Sequence, residues 1–111
     1  NDISEEVVVR NRRLYGSQRI QFELSKSVPA ADLLLCVDVL FHIEDDVEYE
    51  HLLNTLKLRW TRYLAVSAYE YDGLRRNHVH IRQFDPLQFG VPSLREIIED
   101  NGQLYFYIFK R

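Results

Sequence analysis

Two polar segments follow the two most apolar stretches of the chain, and their side chains could do chemistry. Asp38 and His42 follow the apolar run at residues 33–37, and Tyr69-Glu70-Tyr71 follows the apolar run at residues 63–68. An imidazole can act as a general base because it ordinarily changes charge near neutral pH. An ionised carboxylate beside a buried strand must find hydrogen-bond donors or water. Both segments are therefore candidates for a binding or catalytic site.

The two apolar runs must be held so that these segments meet. Neither run alternates between apolar and polar residues, which predicts strands covered on both faces, as in a parallel sheet between helices. Between them, Asp45 can cap a helix whose third position is Glu48. Apolar residues recur at helical spacing through this segment: Val47, Leu52, Leu53, Leu56 and Trp60. A strand-helix-strand crossover brings both carboxyl ends to one edge of the sheet, where ligands bind.

The rest of the chain predicts a small α/β domain. Ser4 can cap a helix at residues 5–15, and residues 19–24 alternate as a short strand. Residues 78–84 form another strand, which Asp85-Pro86 stops. The capping box at Ser93 and Glu96 predicts a short helix. Residues 104–109 close the chain as an aromatic strand, antiparallel to its neighbour.

Composition favours one domain over residues 1–111 and sets aside several classes of function. The formal net charge is −3, and Lys and Arg are scattered among Asp and Glu, so no basic stripe predicts nucleic-acid binding. No stretch approaches the roughly 18 apolar residues that span a bilayer. We expect a soluble, cytoplasmic protein without a membrane partner. Cys36, the single cysteine, lies in an apolar run, where it is expected to pack as a small hydrophobic residue.

Several of these residues also have purely structural interpretations. Asp38 could cap the following turn instead of contacting a ligand, and His42 could be a structural histidine. His78 and His80 share one face of a strand and could bind a metal, but no third ligand lies nearby in sequence. We therefore predict no metal site. Tyr69 and its neighbours could contact a substrate or begin an ordered loop.

The order of these motifs resembles the class I S-adenosylmethionine-dependent methyltransferases over nearly the whole chain. The likeness rests on four phrases: Asp2-Ile3-Ser4, Cys36-Val37-Asp38-Val39-Leu40-Phe41-His42-Ile43, Ser67-Ala68-Tyr69-Glu70, and Phe84-Asp85-Pro86 with the final strand. It implies a Rossmann-like sheet, mostly parallel with an antiparallel C-terminal strand. The strand order in that family is three, two, one, four, five, seven, six, and residues 33–37 would be its fourth strand.

The resemblance also implies roles for particular residues. S-adenosylmethionine would be the cofactor, and an unidentified molecule would accept its methyl group. Asp2, Ile3, Val37 and Asp38 would bind the cofactor, with Asp2 receiving the ribose hydroxyls and Asp38 at the methionine end. The substrate would meet His42, Tyr69, Glu70 and Tyr71, with His42 the candidate catalytic residue.

The chain departs from the family pattern in its cofactor half. The glycine-rich loop is missing, since Gly16, Gly73, Gly90 and Gly102 all lie elsewhere, and no aspartate occupies the turn at residues 24–26. The chain has no methionine and opens with Asn1, so we expect an N-terminally truncated fragment, inactive alone. The alternative is a non-catalytic methyltransferase-like interaction module.

A missing first and second strand would expose one edge of the strand at residues 33–37. Exposed apolar edges pair with other chains. We therefore expect a homodimer through this sheet edge, exchange of an element with a second copy, or coverage of the edge by the first helix and strand.

Overall fold

A computed structural model describes residues 4–17, 29–73, 75–76, 78–99 and 103–111 of the chain. The elements are α1 (Glu5–Tyr15), β1 (Ala31–Cys36), α2 (Asp46–Arg59), β2 (Trp60–Tyr69), β3 (Arg75–Arg76), β4 (Val79–His80), β5 (Leu94–Glu99) and β6 (Leu104–Lys110). The strands form a four-stranded sheet in the order β1-β2-β6-β5 and a two-stranded sheet of β3 and β4. Short 3-10 helices cover Leu40–His42 and Pro86–Phe89.

Both α-helices begin at the capping residues that the sequence predicts. The Ser4 side chain accepts a hydrogen bond from the backbone N–H of Val7 at the start of α1, over the predicted residues 5–15. Asp45 accepts from the backbone N–H of Val47 at 2.9 Å and starts α2. Trp60 is already the first residue of β2 rather than the end of the helix. The predicted strand at residues 19–24, and Asp2 and Ile3, lie outside the described residues.

The predicted crossover is confirmed, because β1 and β2 pair in parallel with α2 between them in the chain. The prediction of a mostly parallel Rossmann-like sheet is wrong. β6 pairs antiparallel with β2, and β5 pairs antiparallel with β6, so two of the three pairings are antiparallel and the sheet is mixed. The short connection between β5 and β6 permits only an antiparallel pair, so placing β5 in the sheet adds a second antiparallel pairing.

The predicted helix after Ser93 is also wrong, because these residues form β5. Instead of capping a helix, Ser93 donates from its backbone N–H and its hydroxyl to the carbonyl of Ile108, at 2.8 and 3.0 Å. Glu96 pairs with Phe106 in the sheet. The β-branched Ile97 and Ile98 favour the strand, and pairing with β6 outweighs the local capping signal.

The second small sheet takes the place of a longer strand predicted at residues 78–84. Only Val79 and His80 are extended and paired there, against β3. Gly73 donates from its N–H to the carbonyl of Ile81, and Phe84 donates to the carbonyl of Tyr69. These bonds close a hairpin on the end of β2.

The core lies on the face of the sheet that α2 covers. Tyr49, Leu53 and Leu56 of α2 are buried against the sheet. On the opposite face, Leu33 and Leu35 of β1 are 53% and 64% exposed. The prediction that β1 is covered on both faces is therefore wrong. Cys36, only 3% exposed, packs as the small hydrophobic residue that the sequence predicts.

Candidate functional site

The carboxyl ends of β1 and β2 are joined by Asp38 and Ser67. Ser67 is a fully buried polar residue within the apolar strand β2. Its hydroxyl accepts the backbone N–H of Asp38 at 2.7 Å and donates to Asp38 Oδ1 at 3.3 Å. Asp38 has φ +56°, a left-handed conformation that aspartate tolerates better than most residues. Ser67 therefore holds Asp38 in place while the rest of its carboxylate faces solvent.

His42 lies one short 3-10 helix further along, and its ring is fixed by the hairpin. Its Nδ1 lies 3.0 Å from the backbone carbonyl oxygen of His78, and its ring centroid lies 4.5 Å from that of Phe41. The residue is exposed. An imidazole held in this way at a sheet edge is available to solvent or to a ligand.

Arg82 fastens the hairpin to the loop that follows His42. Its guanidinium donates to the carbonyls of Ile43 and Glu44 at 2.6 and 2.8 Å, and to Asp46 Oδ1 at 3.0 and 2.7 Å. The hydrogen bond from Arg82 holds the pKa of the Asp46 carboxyl below its ordinary value. Arg82 also stacks 4.3 Å from the ring centroid of Tyr49. All three guanidinium nitrogens of Arg82 thus donate to groups within the chain.

Aromatic rings form one wall of this edge. Phe41 and Tyr69 meet edge to face at 5.3 Å, and Tyr69 and Tyr71 do so at 5.7 Å. A small pocket beside them has room for about one water molecule. It is lined by Leu40, Phe41, Tyr49, Ala68, Tyr69, His80 and Arg82. The wall offers an apolar, half-buried surface to a planar group but encloses no ligand-sized cavity in this arrangement.

Glu70 is directed elsewhere, into a clamp that we define as Glu70, Arg95 and Tyr107. Arg95 Nε donates to Glu70 Oε1 at 2.7 Å, and Arg95 Nη2 pairs with Oε2. The hydroxyl of Tyr107, a fully buried residue, donates to Glu70 Oε1. The Arg95 guanidinium stacks 4.1 Å from the ring centroid of Tyr105. The clamp therefore ties the end of β2 to β5 and β6.

The clamp changes the ionisation of its members. The hydrogen bond from Arg95 lowers the pKa of Glu70, and the bond from Tyr107 acts in the same direction. Burial raises the pKa of Tyr107, and the neighbouring carboxylate raises it further. Glu70 is consequently a carboxylate whose oxygens are committed within the chain, which leaves little for a substrate.

The structure brings some of the predicted site residues together and separates others. Val37, Asp38, His42, Tyr69 and Tyr71 lie where the parallel strands β1 and β2 end, as their positions in the sequence predict. Glu70 directly follows β2 but binds within the clamp. The exposed Val37 is adjacent to Asp38.

Sequence reasoning missed residues that organise this edge. Ser67 had a usable signal, because a lone hydroxyl inside an apolar strand must find a partner. Glu44, Arg82, Arg95 and Tyr107 had none, because their partners lie 25 to 39 positions away in the chain.

The described segments hold no group of three His, Cys, Asp or Glu side chains that could bind a metal ion. His80 Nδ1 instead lies 3.8 Å from Asp46 Oδ1. Neither described helix is long and apolar enough to cross a membrane.

Comparisons with protein-family models, with curated proteins and with solved structures find no match to this chain. The methyltransferase resemblance therefore stays a prediction that rests on the residues themselves.

Proposed function

We propose that the chain is the substrate-side portion of an S-adenosylmethionine-dependent methyltransferase that acts on an unidentified acceptor. The cofactor, when bound, supplies a methyl group on a positively charged sulfur that an acceptor atom can attack in line. The contribution of the protein to such a reaction is to align the acceptor and to exclude water. Asp38, His42 and Tyr69 are the residues that would do this here.

The observation that carries the proposal is the order of the strands together with the residues at their carboxyl ends. The sheet is mixed, but its order β1-β2-β6-β5 has the final strand between the second and the penultimate one. The resemblance implies the same order, four, five, seven, six, for this part of the family's sheet. Asp38 and Tyr69 lie at the ends of the two strands that would be the fourth and fifth.

The residues present fit the cofactor only in part. Asp38 is exposed and can offer its carboxylate to a ligand, and Phe41 and Tyr69 form an apolar wall. The chain has no glycine-rich loop to bring backbone amides against the carboxylate end of the cofactor. We therefore expect the 111-residue chain to bind S-adenosylmethionine weakly and to transfer no methyl group alone.

Weak binding can be measured by titrating the isotope-labelled chain with S-adenosylmethionine up to millimolar concentration and recording amide NMR spectra. We expect shifts at Val37, Asp38 and His42. Asp38→Asn should weaken the binding about tenfold or more, because a hydrogen bond to a charged group is worth about 1.5–3 kcal/mol.

Asp32→Asn is the matched control, because Asp32 lies at the opposite end of β1 and accepts from Thr61. Equal weakening by the two variants, or no shift at any cofactor concentration, would contradict the proposal.

The second candidate function is a non-catalytic interaction module. It is favoured by the exposure of Leu33 and Leu35 on β1 and by the missing glycine-rich loop. This alternative predicts that S-adenosylmethionine changes no amide signal near Asp38. The same titration therefore separates the two functions.

A further inference from the structure

The hydrogen bond at His42 fixes the position of a proton. A neutral imidazole carries its proton on one ring nitrogen, and the other nitrogen accepts. His42 Nδ1 faces the carbonyl oxygen of His78 at 3.0 Å, and a carbonyl can only accept. Nδ1 must therefore donate, and in the neutral ring Nε2 is left as the basic nitrogen.

The carbonyl that selects this proton position belongs to an unusual residue. His78 has φ +64°, a left-handed backbone conformation that only about a few per cent of residues other than glycine adopt. Its backbone N–H donates to Glu44 Oε1 at 2.8 Å. The Glu44 carboxylate thus holds the peptide of His78 from one side while the His78 carbonyl holds His42 on the other.

Hydrogen bonds hold the loop after His42 against the hairpin that carries His78. Arg82 binds the carbonyls of Ile43 and Glu44, and Asp72 Oδ1 accepts the backbone N–H of Gln83 at 2.9 Å. Arg82 therefore binds the loop after His42 to the base of the hairpin that carries His78, and the bond between Asp72 and Gln83 closes that base.

We propose that Glu44 and His78 are positioning residues that hold His42 as its Nδ1–H tautomer and present Nε2 as a proton acceptor. The use of Nε2 in catalysis rests on the proposed function. There, an acceptor whose attacking atom carries a proton, such as a hydroxyl or an amine, would take the methyl group, leave the carbon–sulfur electron pair on sulfur and give its proton to His42 Nε2.

The test is a long-range ¹H–¹⁵N correlation spectrum of the histidine-labelled chain, recorded without cofactor at about pH 8, where ordinary histidines are neutral. We expect the nitrogen shifts of His42 to show a protonated Nδ1 and an unprotonated Nε2. His51 is the internal reference, because it is exposed on α2 and its ring makes no hydrogen bond to the described residues. A free ring of this kind favours the opposite, Nε2–H tautomer.

Two pairs of variants separate positioning from a general effect on folding. Glu44→Ala removes the acceptor and His78→Val disfavours the left-handed backbone, so both should move the His42 shifts toward those of His51. Glu44→Gln keeps an acceptor oxygen and His78→Asn tolerates the backbone conformation, so both should retain the Nδ1–H pattern. If His78→Val fails to fold, Glu44→Ala decides.

Identical shifts for His42 and His51 in the unaltered chain would overturn the proposal, and so would retention of the pattern in Glu44→Ala. Because the spectrum needs no cofactor, a positive result without S-adenosylmethionine binding would refute the proposed function alone. Cofactor binding with a His42 spectrum like that of His51 would refute the positioning proposal alone.

Discussion

Replacing Glu70 by alanine would break the clamp at its centre. Among the described residues, Glu70 is the acceptor for the hydroxyl of Tyr107, and Tyr107 is fully buried. Glu70→Ala therefore leaves a buried hydroxyl without this acceptor, whereas Tyr107→Phe removes the hydroxyl and leaves Glu70 paired with Arg95. The two substitutions disturb one hydrogen bond but should not cost the same.

The magnitude depends on the burial of the group that is left unpaired. An unsatisfied buried hydroxyl costs about 1–3 kcal/mol, and for a domain of this size that lowers Tm by roughly 4–12 °C. Tyr107→Phe should cost less than Glu70→Ala, because it removes the hydroxyl and leaves no buried polar group unpaired. Arg95→Met should have the smallest effect, because the Arg95 side chain is 48% exposed and solvent screens its charge.

The effect of Glu70 should also depend on pH. Its pKa in the folded chain is lowered from 4.5, chiefly by the hydrogen bond from Arg95. A carboxyl with a lowered folded pKa stabilises the fold above its unfolded pKa, and this stabilisation is lost as pH falls through the folded value. The difference in unfolding free energy between the unaltered chain and Glu70→Gln should thus be constant near neutral pH and shrink below about pH 4.5.

Urea unfolding of the single variants and of Glu70→Ala combined with Tyr107→Phe measures these effects. We expect the double variant to lose less stability than the sum of the two single losses, because the second change removes the unpaired hydroxyl. Strict additivity, or a loss below about 0.5 kcal/mol for Glu70→Ala, where about 1–3 kcal/mol is expected, would refute the reasoning.

Three further outcomes are expected from other contacts. Gly73→Ala should destabilise the chain by about 1–3 kcal/mol in thermal unfolding, because a Cβ there would lie 2.7 Å from Ile81 Cβ. Combining it with Ile81→Ala should recover part of the loss, and an unchanged Tm in Gly73→Ala would contradict this reasoning. Light scattering should show association that grows with concentration and that Leu35→Lys abolishes, since Leu35 is exposed on β1; a monomer at every concentration would argue against an edge interface. Burial raises the pKa of Cys36 to about 12, so a thiol reagent at about pH 8 should label it only in denaturant, and rapid labelling of the folded chain would disagree.

The elements that the sequence predicts correctly are those with strong local signals. Ser4 and Asp45 each have a short side chain that can accept a backbone N–H, and each begins a helix where expected. The parallel pair of β1 and β2 is expected from two apolar runs separated by a helix. Ser93 carries an equally good local signal and misleads, because its N–H and hydroxyl are used by Ile108 across the sheet.

In the candidate site, too, the sequence predicts some features and not others. Position along the strands places Asp38, His42 and Tyr69 correctly, since the carboxyl ends of parallel strands meet at one edge. The same rule predicts that Glu70 faces a ligand, whereas its carboxylate binds Arg95 and Tyr107. Strand position gives the location of a residue but not the direction of its side chain, which for Glu70 is decided by Arg95 and Tyr107.

The hairpin explains why an exposed histidine can nevertheless be held in one orientation. Exposed side chains usually keep their freedom, because ordering them costs conformational entropy. For His42 that cost is offset by the hydrogen bond to His78 and by the ring contact with Phe41. The backbone conformation of His78 is in turn maintained by Glu44, and its hairpin is anchored by Arg82. A histidine that served only to pack would need none of these supports, since burial alone would hold its ring. The bonds from His78, Glu44 and Arg82 together hold one ring, and the proposed tautomer leaves its second nitrogen to accept a proton. This arrangement is the strongest physical reason to look for chemistry where β1 and β2 end.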